Sequence, residues 1–189
     1  PSCNTRKYHG LLIVPQPKFD NQNHVLLSSL DETLVFDNQE FHLALHRYKD
    51  GIYSPKGHKY LESYELGVLP THTYRIGNIV LLKQMLFQEK QDRLLIKYTL
   101  QEADTDISLE LMPLLAFRQI HTLSIANENA NMSYENAPQG IRFQMYKDYT
   151  PLYLQFSKKV EYRHNPYWYY NFEYIKEKER GYDYLEDLL

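Results

Sequence analysis

An antiparallel all-β fold is what this sequence predicts, on three observations. Turn-forming clusters recur at short intervals, the runs between them have the length and composition of strands, and several of those runs alternate apolar with polar residues. The turn clusters are Asp20-Asn21-Gln22-Asn23, Asp37-Asn38, Asp50-Gly51, Lys56-Gly57, Gly77-Asn78, Asp104-Thr105-Asp106 and Pro138-Gln139-Gly140, rich in residues that tolerate or favour turn backbone. Between them, residues 24–30, 32–36, 78–88, 93–101, 107–117, 141–146 and 152–156 are dense in Leu, Ile, Val, Phe and Tyr, which suit a pleated, half-buried surface.

The individual elements follow from periodicity. Ile107, Leu109 and Leu111 fall on one face of a strand and Ser108 and Glu110 on the other. Ile96, Tyr98 and Leu100 alternate with Lys97, Thr99 and Gln101 in the same sense, as do Leu152, Leu154 and Phe156 with Tyr153, Gln155 and Ser157. Such half-solvated strands pair antiparallel and stack as two sheets, an antiparallel β-sandwich. Residues 80–87 are apolar on both faces apart from Lys83 and Gln84, which predicts a central strand covered on both sides. The Asn-rich stretch 127–136 reads as a loop. Helix signal is confined to residues 174–189, where Lys176, Glu177, Lys178, Glu179 and Arg180 precede Gly181, so a short helix or linker is expected there. From Tyr162 to Tyr184 the aromatic density rises, with Tyr167, Trp168, Tyr169, Tyr170, Phe172, Tyr174 and Tyr182. We therefore expect a sandwich domain over residues 1–163 and an aromatic, charged exit segment over 164–189.

Composition narrows the functional classes. The 189 residues are 43% hydrophobic and 24% charged, the balance of a packed domain rather than a disordered or fibrous chain. Lys and Arg number 21 against 24 Asp and Glu, a net charge of −3, so no overall basic field exists to hold nucleic acid or an anionic membrane, and neither is expected as a partner. No apolar run approaches the roughly 20 residues that span a bilayer. Cys3 is the single cysteine, which rules out an internal disulfide and favours a reducing, cytoplasmic setting. The chain opens Pro1-Ser2-Cys3-Asn4 and closes Glu186-Asp187-Leu188-Leu189, and we expect it to be a piece of something longer.

The most distinctive stretch is Asn4-Thr5-Arg6-Lys7-Tyr8-His9-Gly10-Leu11-Leu12, where several side-chain donors stand immediately before an apolar strand. It closely resembles the opening motif of the N-terminal domain of bacterial and archaeal glycogen debranching enzymes of the amylo-α-1,6-glucosidase type. The resemblance continues in order through residues 25–32, through Tyr53-Ser54-Pro55-Lys56-Gly57-His58-Lys59-Tyr60-Leu61, through residues 111–121 with Pro113, Arg118 and His121, and through Tyr170-Asn171-Phe172-Glu173-Tyr174 with Glu179-Arg180-Gly181. It covers most of the chain. The resemblance implies a galactose-mutarotase-like β-supersandwich placed before an α/α-barrel, absent from this chain, that carries the hydrolytic carboxylates. It implies glycogen or a branched α-glucan as ligand and the C-terminal barrel of the same polypeptide as partner. The parent would hydrolyse α-1,6-linked branch glucose, with 4-α-glucanotransferase activity in related enzymes.

The residues themselves offer no hydrolytic pair. Glycoside hydrolysis needs two carboxyl groups facing one bond, whereas adjacent Asp31 and Glu32 point to opposite faces of a strand, as do Glu62 and Glu65. These read as surface charge, and no catalytic residue is assigned. Asn4, Arg6, Tyr8 and His9 supply directional donors and acceptors suited to sugar hydroxyls and are the first candidates for substrate contact. Arg118 and His121, at the end of a strand after Pro113, are the second. Each could equally tie a strand edge to a neighbouring loop. His42 and His46, spaced by four, lie in an alternating strand pattern and lack a third ligand, so no metal and no cofactor is expected. The Tyr-rich tail with Trp168 could stack on sugar rings but more simply provides packing. Two other functions stay open: a freestanding mutarotase-like epimerase using His121 and Glu110, and a structural domain that never meets sugar.

Overall fold

Runs that alternate or carry β-branched and aromatic residues pair antiparallel throughout the computed structural model, which describes residues 3–88 and 90–189. In chain order the strands are β1 (Leu12–Pro15), β2 (Asn23–Phe36), β3 (Gln39–His42), β4 (Leu45–Tyr48), β5 (Ile52–Lys56), β6 (Leu61–Leu66), β7 (Pro70–Ile76), β8 (Ile79–Gln88), β9 (Arg93–Glu102) and β10 (Ser108–Gln119). There follow β11 (Tyr134–Ala137), β12 (Gly140–Phe143), β13 (Leu152–Gln155), β14 (Tyr169–Glu173), the single helical turn α1 (Ile175–Lys178) and β15 (Leu185–Leu188). The sheets are antiparallel and none closes into a barrel, so the all-β class is as the sequence predicts and agrees with a β-sandwich.

The chain divides into two compact units. The first holds Leu30–Pro113 with residues 3–4. Its main sheet runs β6-β7-β8-β9, with register fixed by pairs such as Tyr74↔Leu81 and Lys83↔Tyr98. The turn at Asp37-Asn38, both with positive φ, joins the end of β2 to β3 as a two-residue hairpin. Leu34, Leu43, Tyr74, Ile76, Ile79 and Leu81 form the buried core.

Several sequence expectations meet physical detail here. β8 is central, between β7 and β9, and Val80 and Leu81 are buried, but Leu86 and Phe87 at its far end are about half exposed. They pair with Leu95 and Leu94, beyond the stretch that the core residues cover. The two runs 24–30 and 32–36 form one strand, β2, because Asp31 is no turn residue: its Oδ2 lies 2.7 Å from His46 Nε2, and both residues are buried. Glu32, also read as surface charge, is 3% exposed and receives Lys83 Nζ at 2.5 Å and the Tyr98 hydroxyl at 2.6 Å. A strand pattern places a carboxylate on a face but does not reveal whether the opposing strand supplies its cation. Glu62, by contrast, pairs with Arg75 in solvent.

The second unit holds Thr5–Ser29 and Leu114–Leu189. β10 shows alternating exposure up to Pro113 and then five consecutive buried residues, Leu114 to Arg118, at the point where the chain enters this unit. The sheet order is β1-β2-β10, and the Ile120 N–H donates to the Asn23 carbonyl at 3.1 Å. A separate sheet runs β11-β12-β13. Within the stretch 127–136, Asn127 and Asn131 accept from the backbone N–H groups two residues on, the Asx-turn geometry that Asn favours. The tail is packed rather than helical: α1 is one turn, after which β15 pairs with β14, and Leu189 just beyond it exchanges two backbone hydrogen bonds with Leu115. Trp168, Phe172, Tyr174 and Leu188 are buried in it. The charged run is too short to hold a longer helix by its own side-chain pairs, and the alternate burial of Glu186 and Leu188 suits a strand.

Candidate functional site

The opening motif forms a loop rather than a strand, and its backbone explains why. The His9 N–H donates to the Arg6 carbonyl at 3.0 Å and the Thr5 N–H to His9 Nδ1 at 3.2 Å, so residues 5–9 close on themselves before β1 begins. Gly10 lets this loop lie against β2: a Cβ there would fall 2.8 Å from Val25 Cγ1 and 3.3 Å from the Leu27 carbonyl. The following Leu11 N–H donates to that same carbonyl at 2.9 Å.

Two other segments of the second unit hold the loop. The Lys176 N–H of α1 donates to the Thr5 carbonyl at 3.0 Å. Arg118 at the end of β10 donates from Nη2 to the Lys7 carbonyl at 2.7 Å. Arg118 is 5% exposed, and its guanidinium forks onto Glu186 of β15, whose carboxylate also receives the Ser124 N–H and the Tyr174 hydroxyl. Burial works against the Arg118 charge, but the Glu186 carboxylate outweighs it and raises the pKa. Burial, with Glu186 beside it, likewise raises the Tyr174 phenol. Arg118 is thus the internal strut under the loop.

The outward side chains gather at the turn after β10. The Tyr8 hydroxyl lies 3.1 Å from His121 Nδ1, with the two rings edge to face at 5.4 Å. Lys7 Nζ donates to the His121 carbonyl at 2.7 Å and stands 5.7 Å from the Tyr8 ring and 5.9 Å from the Tyr182 ring. Arg180 covers the Tyr182 ring at 5.0 Å, and that ring is 53% exposed. Gln119 fixes the turn by accepting the His121 N–H at 2.6 Å. The result is a continuous aromatic and cationic surface of Tyr8, His121, Lys7, Tyr182 and Arg180.

Of the residues that the sequence singled out, Tyr8 and His121 meet on this surface, Arg6 is exposed on the same loop, His9 sits half-buried within it and Arg118 lies beneath. Asn4 falls in the first unit. Burial, then Arg6, lower the His9 pKa, with Glu177 opposing them. Lys7, Tyr182, Arg180 and Glu186 escape a reading of the sequence. Lys7 stands inside the motif, but no local signal ties residues 180–186 to a loop at the opposite end of the chain.

Two carboxylates linked to this surface, Glu186 through Arg118 and Glu177 through Arg180, are both fully buried. Among the described residues no group of three His, Cys, Asp or Glu could hold a metal ion. His42 instead lies 2.9 Å from the Thr33 hydroxyl, and His46 faces Asp31.

The family model described as glycogen debranching enzyme N terminal matches residues 2–189, essentially the whole sequence. The chain belongs to that family. No curated protein and no solved structure matches it. Membership in this glycogen debranching enzyme N-terminal family accords with the resemblance read from the opening motif, and that motif forms the loop at the centre of the surface described above.

Proposed function

We propose that this glycogen debranching enzyme N-terminal domain contacts branched α-glucan through the opening loop, without itself carrying the hydrolytic pair. The observation that carries the reading is the joined surface of Tyr8, His121, Lys7, Tyr182 and Arg180. Tyrosine rings suit the apolar face of a pyranose, and the flanking cationic groups and imidazole donate to its hydroxyls. Arg6 and His9 extend that surface along the loop, and Arg118 acts by holding the Lys7 carbonyl in place. In the parent polypeptide, which we place in the cytoplasm, an α/α-barrel further along the chain would hydrolyse the α-1,6 branch linkage.

Affinity electrophoresis in glycogen-containing gels tests this. Tyr182→Ala and Lys7→Ala, both at solvent-facing positions, should weaken retention about 3- to 10-fold, the size of one lost ring-stacking or cation–ring contact. Retention equal to that of the unaltered chain, with unchanged melting temperature, would instead favour a domain that supports its partner without meeting sugar.

A further inference from the structure

Phe117 is a backbone anomaly in the second unit. Its φ is +43°, in the left-handed region that bulky L residues avoid, although it lies inside β10 and is 2% exposed. Every other described non-glycine residue at positive φ is Asn, Asp, Gln or Lys. Such a conformation in a large apolar residue persists only where its surroundings over-determine it, and in a strand it re-aims the side chains that follow.

The chain is pinned on both sides of Phe117. Before it, Leu115 exchanges two backbone hydrogen bonds with Leu189, and after it the Ile120 N–H donates to the Asn23 carbonyl. The Phe117 ring packs edge to face on Tyr149, with centroids 5.6 Å apart, and the Tyr149 hydroxyl lies 2.7 Å from Nδ1 of the buried His24. The next residue is Arg118, whose guanidinium holds Glu186 and the Lys7 carbonyl. It also folds back on its own turn, with Nη1 3.3 and 3.4 Å from the Gln119 and Ile120 carbonyls. Antiparallel strand backbone has φ near about −140°, so the chain beyond Phe117 is turned about its N–Cα bond by roughly 180° from the course of a regular strand. Arg118 is the first side chain on the turned part, and its direction follows covalently from the Phe117 backbone.

We infer that Phe117 is a positioning residue for the opening loop, its left-handed backbone aiming Arg118 at Glu186 and at the Lys7 carbonyl. Tyr149 against its ring and the Arg118–Glu186 pair beyond it hold the conformation, so the strained link and the buried ion pair support each other. With Phe117 extended, the guanidinium swings off the Lys7 carbonyl and the loop loses its strut. The glucan part of this inference rests on the proposed function, while the Phe117–Arg118 link does not.

Phe117→Leu and Phe117→Ile test this, because both lose the ring, keep the same apolar volume and differ in branching at Cβ, which favours extended backbone and opposes positive φ. The readouts are the urea midpoint, the NMR signal of Arg118 Nε–H, assigned with Arg118→Lys, and retention in glycogen gels. Phe117→Leu should hold the Arg118 signal near that of the unaltered chain. Phe117→Ile should shift it toward that of a free guanidinium, lower the urea midpoint below that of Phe117→Leu and weaken retention at least about threefold further. Phe117→Gly, which gives up the packing but accepts positive φ, should keep the Arg118 signal where Phe117→Leu has it even as its midpoint falls, an effect that packing alone would not produce. Equal Arg118 signals in the Phe117→Leu and Phe117→Ile chains overturn the aiming of Arg118, as does loss of the signal from folded Phe117→Gly. A Phe117→Ile midpoint at or above that of Phe117→Leu overturns the strained link, and this pair decides by itself if Phe117→Gly does not fold. Failure of the unaltered chain to bind glycogen would sink the proposed function, and the Arg118 signals would still decide the link.

Discussion

At the scale of single residues, the opening loop depends on groups that never reach solvent. Arg118 donates at once to Glu186 and to the Lys7 carbonyl, so its removal leaves a fully buried carboxylate uncompensated and the loop unsupported. Arg118→Ala should destabilise the fold by about 3–5 kcal/mol in urea unfolding, the cost of breaking a buried ion pair from one side. Arg118→Lys should recover only part of this, because an ammonium cannot reproduce the planar fork. A second residue-scale test concerns Asp20, whose carboxylate oxygens lie 2.9 and 3.0 Å from His24 Nε2, while His24 Nδ1 lies 2.7 Å from the Tyr149 hydroxyl. Desolvation works against the Asp20 charge, yet the Gln22 N–H and His24 outweigh it and hold the carboxyl below its ordinary value of 3.8. A depressed carboxyl pKa contributes stability above the unfolded value that disappears as pH falls through the folded one. Urea midpoints should therefore drop on acidification below about pH 4 more steeply in the unaltered chain than in Asp20→Asn.

At the scale of elements, the sheets are set by cross-strand neighbours. β12 is tightest: a Cβ on Gly140, which pairs with Gln155, would lie 1.9 Å from the Leu154 carbonyl of β13. Backbone cannot yield as a flexible side chain would, so Gly140→Ala should cost at least about 1–3 kcal/mol and loosen β11-β12-β13, read as faster amide exchange in those strands. β8 shows the other use of a neighbour. Its apolar run admits Lys83 because Glu32 lies opposite, and Lys83→Ala should be far more harmful than the double change Lys83→Met, Glu32→Leu, which leaves no orphaned charge. Measuring the two by chemical denaturation separates the worth of the pair from the cost of breaking it.

At the scale of the whole molecule, tyrosine has become a core residue. Tyr149 is pushed up to about 12 by burial and then by Asp20. Tyr74, Tyr98 and Tyr174 are raised further, again first by burial and then by Glu32 or Glu186. A phenol whose folded pKa exceeds its unfolded value of 10.0 contributes stability that is complete below that value and is lost as pH rises through the folded one. Stability should hold to about pH 10 and then fall steeply, with the share of tyrosinate absorbance that belongs to Tyr74, Tyr98, Tyr149 and Tyr174 appearing together with unfolding rather than before it.

Local chemistry by itself determined the all-β class, the strands from β8 to β10, the hairpin turn at Asp37-Asn38 and, through the opening motif, the family. Each is written within about a dozen consecutive residues, where alternation, turn composition and motif spacing act. Tertiary structure alone decided that Asp31 and Glu32 are buried and that the tail is a strand. It also decided that Tyr182 and Arg180 join Lys7 and Tyr8. These pairings link residues up to about 175 positions apart, and a charge or a ring carries no local mark of the partner it will meet. Whether a polar side chain becomes surface, strut or contact depends on what the folded chain places opposite it, since desolvation makes the partner decisive.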